Sequence, residues 1–263
     1  MRFPLGRALP WLVLIAVVAV VLALDHGTRL NVLRPHGERE LAVMDFSTPF
    51  PLDPPPPGWV HRRFWTRPPM TMSFQEKDGI KALRLATSSS ASMLFRHVDV
   101  DIAAYPFLTW RWYIEQPIDA PEDEQTRAGD DHPARLFLAF RTAAGESRRM
   151  EIIWGDKLHA GQYKFIGSFP HYVADGGDEN IGQWRNEAVD LRQITRPIWS
   201  DAQPMHLVDI ALFCDSDDTH TRSVAYVAGV TVARTHPAPP PLAATGTSPP
   251  AAAPPSPASH TSR

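Results

Sequence analysis

Short runs with a period of two fill the middle of this chain and constrain its fold more than any other feature. In PFLTWRWYIE, one face carries the apolar side chains Leu108, Trp110, Trp112 and Ile114. The run ARLFLAFRT alternates in the same way. Runs of this kind, rich in β-branched and aromatic residues and bounded by Gly, Pro, Asp or Ser, are typical of β-strands. The sequence therefore predicts a domain built from many short strands.

The order of the predicted elements favours an all-β domain. Long amphipathic helices do not alternate with the strands, so a parallel α/β sheet is not expected. We predict an antiparallel β-sandwich, jelly-roll-like, with at most one or two short helices. One of these helices is expected near residues 186–194.

Both ends of the chain differ from this middle part. Arg2 and Arg7 flank the uncharged apolar run 8–24, so residues 1–24 predict a signal peptide or an N-terminal membrane anchor. Polar residues 25–40 predict a linker, and residues 41–234 form the expected β-sandwich domain. Residues 235–263 are rich in Pro, Ala and Ser and are expected to be a disordered tail, because they cannot bury enough apolar surface.

Location and partners follow from the same features. The basic flank and apolar run predict export, with the domain periplasmic or anchored to the inner membrane and facing outward. The membrane is then a partner if the segment is not cleaved. The net charge of −3 gives no electrostatic reason to expect nucleic acid. Cys214 is the single cysteine, so no disulfide forms within the chain, and its apolar neighbours indicate a buried side chain.

The tryptophans on predicted strands have two interpretations. Trp110 and Trp112 share a face with apolar neighbours, which favours a place in the core of the sandwich. Their indole rings would also suit a platform that stacks on a sugar ring. Trp154, near the end of a predicted strand, allows the same two interpretations. Arg111 points to the opposite face, towards solvent or an acidic partner.

The segment GDDHPARLFLAF places two carboxylates before a turn proline and an arginine at the start of a strand. We expect Asp131 and Arg135 to form an ion pair at the strand entrance. One interpretation is a closed loop. The other is a polar binding site, with Asp130 and Asp131 beside Arg135.

The segment CDSDDTH supplies closely spaced carboxylates. Asp215, Asp217 and Asp218 are candidate ligands for calcium, which prefers oxygen donors. The spacing does not match an EF-hand loop, so any calcium site must share ligands with a distant loop. The other interpretation is an Asx-rich hairpin turn between two apolar strands. Calcium is the only cofactor that the sequence suggests.

Familiar enzyme signatures are absent from the sequence. There is no Walker loop, no G-x-G-x-x-G, no G-x-S-x-G and no H-E-x-x-H. Acidic residues are numerous enough that a glycosidase pair is always possible, so their presence indicates little. These absences favour a binding protein over an enzyme.

The order of these motifs resembles a bacterial family known as Domain of Unknown Function 3047. The likeness runs from about residue 44 to residue 234. The family's motif positions match Trp110, Trp112, Asp130, Asp131, Arg135, Trp154, Gly155, Asp215, Asp217 and Thr219. Asp218 replaces an expected asparagine, and Ile153 stands where an aromatic residue is commoner. The resemblance supports the domain prediction and implies no activity.

Three functions remain open at the level of sequence. The first is an exported β-sandwich binding module, with carbohydrate or cell-envelope glycan as the ligand. The second is a polysaccharide-active enzyme, a hydrolase or lyase, that uses Asp131 and Arg135. The third is a structural envelope protein that docks a protein partner. A concave groove favours the first two functions, whereas a flat exposed apolar patch favours the third.

Overall fold

The computed structural model describes residues 33–36, 38–199, 201 and 204–237. The strands in this part of the chain are β1 (Arg34–Pro35), β2 (Glu40–Met44), β3 (Trp59–Arg63), β4 (Thr71–Lys77), β5 (Ile80–Ser88), β6 (Ala91–Asp101), β7 (Phe107–Gln116), β8 (Arg135–Thr142), β9 (Ser147–Gly155), β10 (Tyr163–Ile166), β11 (Phe169–Gly176), β12 (Trp184–Asp190), β13 (Met205–Asp215) and β14 (Arg222–Ala233). They form two seven-stranded sheets, so the predicted all-β sandwich is confirmed.

Strand β14 organises the first sheet. One of its edges pairs with β7, which in turn pairs with β12. Its other edge pairs with β5 along one half and with β2 along the other half. Strand β4 extends the sheet beyond β5, and β1 extends it beyond β2.

The second sheet has the strand order β10-β11-β9-β8-β13-β6-β3. Its pairs are antiparallel except that β11 runs parallel to β9. The expectation of a purely antiparallel sandwich is therefore wrong at this one pair. The reason lies in the connection: the short hairpin of β10 and β11 turns the chain back so that β11 lies beside β9 in the same direction.

The alternation seen in the sequence places one face of each sheet in a shared core. Trp110 and Trp112 of β7 are buried there, and so is Trp154 of β9. The ring of Trp112 meets those of Trp110 and Trp154 edge to face, at centroid distances of 5.2 and 5.7 Å. Cys214 is also fully buried, as predicted.

The expected helix near residues 186–194 forms only in its last part. Strand β12 occupies Trp184–Asp190, and the five-residue helix α1 spans Leu191–Thr195. The Asp190 side chain accepts a hydrogen bond from the Arg192 N–H at 2.9 Å and caps the helix. Pairing with β7 holds the earlier residues in a strand, because tertiary contacts override weak local propensity.

The turn after Asp215 is not a hairpin turn. Strand β13 belongs to the second sheet and β14 to the first, so residues 216–221 cross from one sheet to the other. His220 adopts a left-handed conformation in this turn, with a φ of 57°. The predicted hairpin is therefore wrong, although both flanking strands form as expected.

The ends of the described chain lie close to the first sheet. Part of the predicted linker is structured, because Arg34–Pro35 pairs with β2. The His236 ring packs against Phe107 with a centroid distance of 5.2 Å. The predicted residues 1–24 and nearly all of the predicted tail lie outside the described residues. Among the residues that are described, no helix has the length and apolar character needed to cross a membrane.

Candidate functional site

A cleft of about 520 Å³ lies on the face of the second sheet that points away from the core. Leu136 and Leu138 of β8 face the core, so Arg135 and Phe137 project from the opposite face. Neighbouring strands add Glu151 from β9 and Asp215 from β13. The residues around the cleft are Phe64, Thr66, Arg67, Ala91, Arg127, Asp130, Arg135, Glu151, Ile166, Phe169, His171, Phe213, Asp215, Asp217 and Asp218.

Arg135 is the centre of a buried ion cluster beneath the cleft. Its Nη2 donates to both Asp215 oxygens at 2.6 and 2.5 Å, and its Nε donates to Oδ1 at 3.1 Å. Its Nη1 donates to Glu151 at 2.8 Å, and Nη2 also donates to the Asp130 carbonyl. The guanidinium lies over the ring of Phe213 at 4.7 Å. These contacts use the planar fork of arginine, which a lysine does not offer.

The predicted ion pair between Asp131 and Arg135 does not form. The Asp131 carboxylate instead accepts hydrogen bonds from the Thr219 N–H and hydroxyl, both at 2.6 Å. The physical reason is strand geometry: Arg135 points across the sheet towards β9 and β13, whereas Asp131 lies before the strand and faces the turn after β13. Asp131 therefore fixes that turn, and Arg135 is paired elsewhere.

A second layer of contacts holds the loop that carries Asp130. The Lys164 ammonium donates to Asp130 at 2.7 Å, to the Glu124 carbonyl at 2.6 Å and to His132 Nε2 at 2.8 Å. His132 Nδ1 lies 2.8 Å from the Trp154 carbonyl. Since a carbonyl only accepts, Nδ1 carries the proton and Nε2 receives the hydrogen bond from Lys164.

Glu124 anchors the same loop from its other side. Its carboxylate accepts hydrogen bonds from the N–H groups of Asp156, Lys157 and Leu158, at 2.9, 2.6 and 2.5 Å. Three backbone donors satisfy a buried carboxylate without a cation. The loop before β8 is therefore fixed to the turn after β9.

The cluster shifts the titration of its members in directions that follow from their neighbours. Burial alone would raise the pKa of Asp130, but Arg135 and Lys164 hold it well below the usual range. Burial likewise opposes ionisation of Glu151, yet Arg135 and His171 lower its pKa. Burial lowers the pKa of His132 to about 3, with Lys164 adding to the effect, so His132 is neutral. Asp130, Glu151 and Arg135 therefore remain charged inside the protein. Burial raises the pKa of Asp215, and the hydrogen bonds that Arg135 donates to both Asp215 oxygens oppose this rise.

The carboxylates considered for calcium are only partly brought together. Asp131, Asp215 and Asp217 offer oxygens that lie within 4.8 Å of one another. Asp218 is not in this group, and its carboxylate lies 3.9 Å from Arg67. The chain turns at residues 216–221 and directs Asp218 to the exposed rim. Asp131 lies on a loop that is distant in sequence, where a shared calcium site would need a further ligand.

Arginines already occupy two members of this group. Arg135 binds Asp215, and Arg67 forms an ion pair with Asp217. A cation would have to compete with both guanidiniums for the same oxygens. Calcium binding at Asp215 and Asp217 therefore stays a prediction.

The predicted tryptophan platform is not part of the cleft. Trp112 and Trp154 are 1% and 2% exposed, so their faces pack against other core residues and are not available to a sugar. Trp110 is buried too, although it borders a second cavity of about 710 Å³ beside the first sheet. Arg111 is exposed at that second cavity, as its predicted direction requires. The large size of indole makes core filling the stronger of its two uses here.

Several residues of the site were missed by the sequence interpretation. Glu151, Lys164 and His171 lie on β9, β10 and β11, and in β9 the core residues Met150 and Ile152 stand on either side of Glu151. A charged residue in the middle of a strongly apolar strand, such as Glu151 in RRMEIIWG, could have identified this site from the sequence. The sequence could not have shown which strands lie next to one another, because strand order is not encoded locally.

Trp65 is the other residue that the sequence interpretation missed. Its side chain is 102% exposed, and it follows Phe64 and precedes Thr66, which both line the cleft. No periodic pattern identifies Trp65, since it lies in the turn between β3 and β4 and not in a strand. Its exposure depends on the conformation of this turn.

Two sheets, a shared aromatic core and a buried ion cluster under an open cleft define a β-sandwich domain with a candidate binding site on one outer face. The chain belongs to the family described as Protein of unknown function (DUF3047), whose model matches residues 57–231. The resemblance noted from the sequence is thus confirmed. No curated protein matches the sequence.

Solved structures share this architecture at low sequence identity. A family 11 carbohydrate-binding module of a cellulosomal cellulase from Clostridium thermocellum is 7% identical, with 74% of this chain and 95% of that chain covered and a TM-score of 0.40. A family 30 module from the same organism is 8% identical, with 73% and 96% covered and a TM-score of 0.41. The xyloglucanase domain of NopAA from Sinorhizobium fredii is 8% identical, with 68% and 93% covered and a TM-score of 0.39. At these values the similarity carries no functional argument.

Proposed function

We propose that this domain is a binding module for glycans and that the ligand lies in the cleft on the second sheet. The cleft is concave and its walls include Phe64 and Phe169, which are half-buried, together with Phe213. Apolar rings beside polar groups suit a sugar, which has apolar C–H faces and a rim of hydroxyls. The ion cluster below holds the floor of the cleft in a fixed geometry, so little ordering is needed on binding.

The observation that carries this proposal is the exposed Trp65, whose chain neighbours Phe64 and Thr66 both line the cleft. A tryptophan with no packing partner leaves a large apolar face in water, which is unfavourable in the free protein. A sugar bound in the cleft would cover that face and stack on the indole ring. Trp65 thus takes the role that the sequence interpretation gave to Trp110 and Trp112.

The two other functions receive less support. The enzyme hypothesis assigned the chemistry to Asp131 and Arg135, but both side chains are buried and held by protein partners. A docking surface for a protein would be a flat apolar patch. In the described part of the chain, the large apolar side chains that are exposed are Val60, Trp65 and Phe165.

We also propose that the domain acts outside the cytoplasm, in the periplasm or anchored to the inner membrane. The support is the N-terminal sequence alone, in which Arg2 and Arg7 flank the apolar run 8–24. A glycan of the cell envelope is the ligand that matches this location. Fractionation of cells that express the full chain tests the location, and recovery in the cytoplasmic fraction would contradict it.

Binding of the purified full-length protein to a glycan array tests the proposed function. Trp65→Ala should reduce the affinity for a bound glycan by about two- to tenfold, as expected for one lost stacking contact. The melting temperature should not change, because Trp65 packs against nothing.

Phe165→Ala is the matched control for this experiment. Phe165 is 51% exposed on β10, and only one of its chain neighbours, Ile166, lines the cleft, whereas both neighbours of Trp65 line it. Its replacement should leave glycan affinity at the wild-type value. Wild-type affinity in Trp65→Ala, or an equal loss in both variants, would contradict the placement of the ligand.

A further inference from the structure

The one arginine on the floor of the cleft has its hydrogen-bond donors directed at the protein. Arg135 donates to Asp215 through Nε and Nη2, to Glu151 through Nη1 and to the Asp130 carbonyl through Nη2. The guanidinium is 3% exposed. An acidic ligand therefore does not find a free guanidinium fork at this position.

Acceptor oxygens, in contrast, remain available around the cleft. Within the described part of the chain, no hydrogen bond involves Glu151 Oε1, Asp130 Oδ2, Asp217 Oδ1 or Asp218 Oδ2, and all four residues line the cleft. A carboxylate oxygen only accepts hydrogen bonds. The groups that satisfy these atoms are donors, such as the hydroxyls of a sugar or an ammonium group.

The charge of the lining points in the same direction. The lining holds five carboxylates (Asp130, Glu151, Asp215, Asp217 and Asp218) and three guanidiniums (Arg67, Arg127 and Arg135), a formal charge of −2 for these groups. The Lys164 ammonium, which donates to Asp130, reduces the negative excess to −1. Clefts lined with an excess of one sign concentrate ligands of the opposite sign and repel those of the same sign.

We infer that the cleft selects sugars that present hydroxyl and amino groups and that it discriminates against sugars that carry carboxylates. The inference rests on the proposed glycan-binding function and names the ligand class of the same cleft. A protonated amino sugar supplies donors and a positive charge to the free carboxylate oxygens. A uronic acid supplies neither at its carboxylate and meets a negatively charged lining.

Three oligosaccharides of equal length test the inference: oligomers of glucosamine, of N-acetylglucosamine and of galacturonic acid. Titration calorimetry with the full-length protein at low salt should give the tightest binding for the amino sugar and the weakest for the uronate. Physiological salt should reduce the difference in affinity between the amino sugar and the uronate, because exposed charges are screened.

The outcomes separate this inference from the proposed function. If uronate binds as tightly as the amino sugar or more tightly, the inference is wrong, while glycan binding stands. If none of the three oligomers binds, the proposed function is contradicted and the inference falls with it.

The variant Asp218→Asn tests the electrostatic contribution to sugar selection. Asp218 lies at the exposed rim, where its contact with Arg67 is long at 3.9 Å, so the protein should fold as before. Removing this charge should reduce the affinity for the amino sugar by about two- to fivefold and change that for the N-acetylated sugar by less than about twofold.

Glu76→Gln is the charge-matched control, because Glu76 is exposed on β4 of the opposite sheet. It should leave the affinities for both sugars unchanged. An equal loss for both sugars in Asp218→Asn would show that Asp218 acts through the shape of the rim and would overturn the electrostatic selection.

Discussion

Two groups of buried or half-buried carboxyls in this protein are neutralised in different ways. Around Arg135, the carboxylates of Asp215 and Glu151 face a guanidinium at 2.5 and 2.8 Å. Between the sheets, Glu187 of β12 meets Asp175 of β11, another carboxyl group. Asp175 receives hydrogen bonds from Arg185, Asn180 and the Gly176 N–H, at 2.6, 2.8 and 2.8 Å.

Glu187 has fewer hydrogen-bond donors around it than Asp175. It accepts one hydrogen bond, from Trp112 Nε1 at 3.2 Å, and it forms no ion pair within the described residues. Burial raises the pKa of Glu187 to about 7, and the neighbouring Asp175 adds to the rise. Since Asp175 has three donors of its own, Glu187 is the member of the pair that is protonated below about pH 7, and it then donates its proton to Asp175. A proton thus replaces the cation that the other cluster has.

The stability contributions of these two groups depend on pH in opposite directions. Asp130 and Glu151 of the Arg135 cluster have lowered pKa values, so their contribution to stability is present above their ordinary pKa values and lost as the pH falls. The Glu187 pair is stabilised when Glu187 is protonated. Its contribution is complete below the ordinary pKa of 4.5 and lost as the pH rises to about 7.

Removal of the cation at the centre of the first cluster should have the largest effect. Arg135→Ala leaves Asp215 and Glu151 buried without their partner and should lower the free energy of unfolding by about 3–5 kcal/mol. Arg135→Lys keeps the charge without the fork and should lose less. Urea denaturation measures both variants, with the exposed Arg222→Ala as control. A loss below about 1 kcal/mol in Arg135→Ala would show that the cluster is solvated.

The second effect concerns the proton between the sheets. In Glu187→Gln a neutral donor replaces the protonated acid, so the fall in stability between pH 4.5 and 7 should be reduced by about 1–3 kcal/mol relative to wild type. Thermal unfolding across this range measures the difference, and Glu76→Gln controls for a lost surface charge. Parallel pH profiles for wild type and Glu187→Gln would mean that Glu187 is ionised in the folded protein.

A smaller effect is expected at Asp131, which lies beside the first cluster but outside its ion pairs. Asp131→Asn weakens two hydrogen bonds from Thr219 and should lower the free energy of unfolding by about 1 kcal/mol. The exposed Asp119→Asn provides the matched control. A loss as large as that in Arg135→Ala would place Asp131 inside the ion cluster.

The smallest effect concerns calcium. Arg67 competes for Asp217, so Arg67→Ala should make the increase in melting temperature caused by calcium larger than in wild type. Metal-free protein is compared in excess calcium and in chelator. Identical melting curves under both conditions, in both proteins, would remove the calcium hypothesis for Asp131, Asp215 and Asp217.

The strands of this protein could be predicted from local sequence. The alternation in PFLTWRWYIE and ARLFLAFRT reflects a pleated strand with one face in the core, and β7 and β8 form there. The β-sandwich followed from the number of such runs and from the missing helical pattern. The segment around Asp130, Asp131 and Arg135 was identified as polar and important, because charged residues at the entrance of an apolar strand need partners.

The partners themselves were decided only by the tertiary structure. Arg135 reaches Glu151 across 16 residues and Asp215 across 80 residues, and no local pattern encodes those separations. The same holds for Asp175 and Glu187, which meet because β11 of one sheet approaches β12 of the other. Sequence periodicity determines which face of a strand a side chain occupies, since that depends on the backbone of the strand. Which charges meet depends on strand order, and strand order is a property of the whole fold.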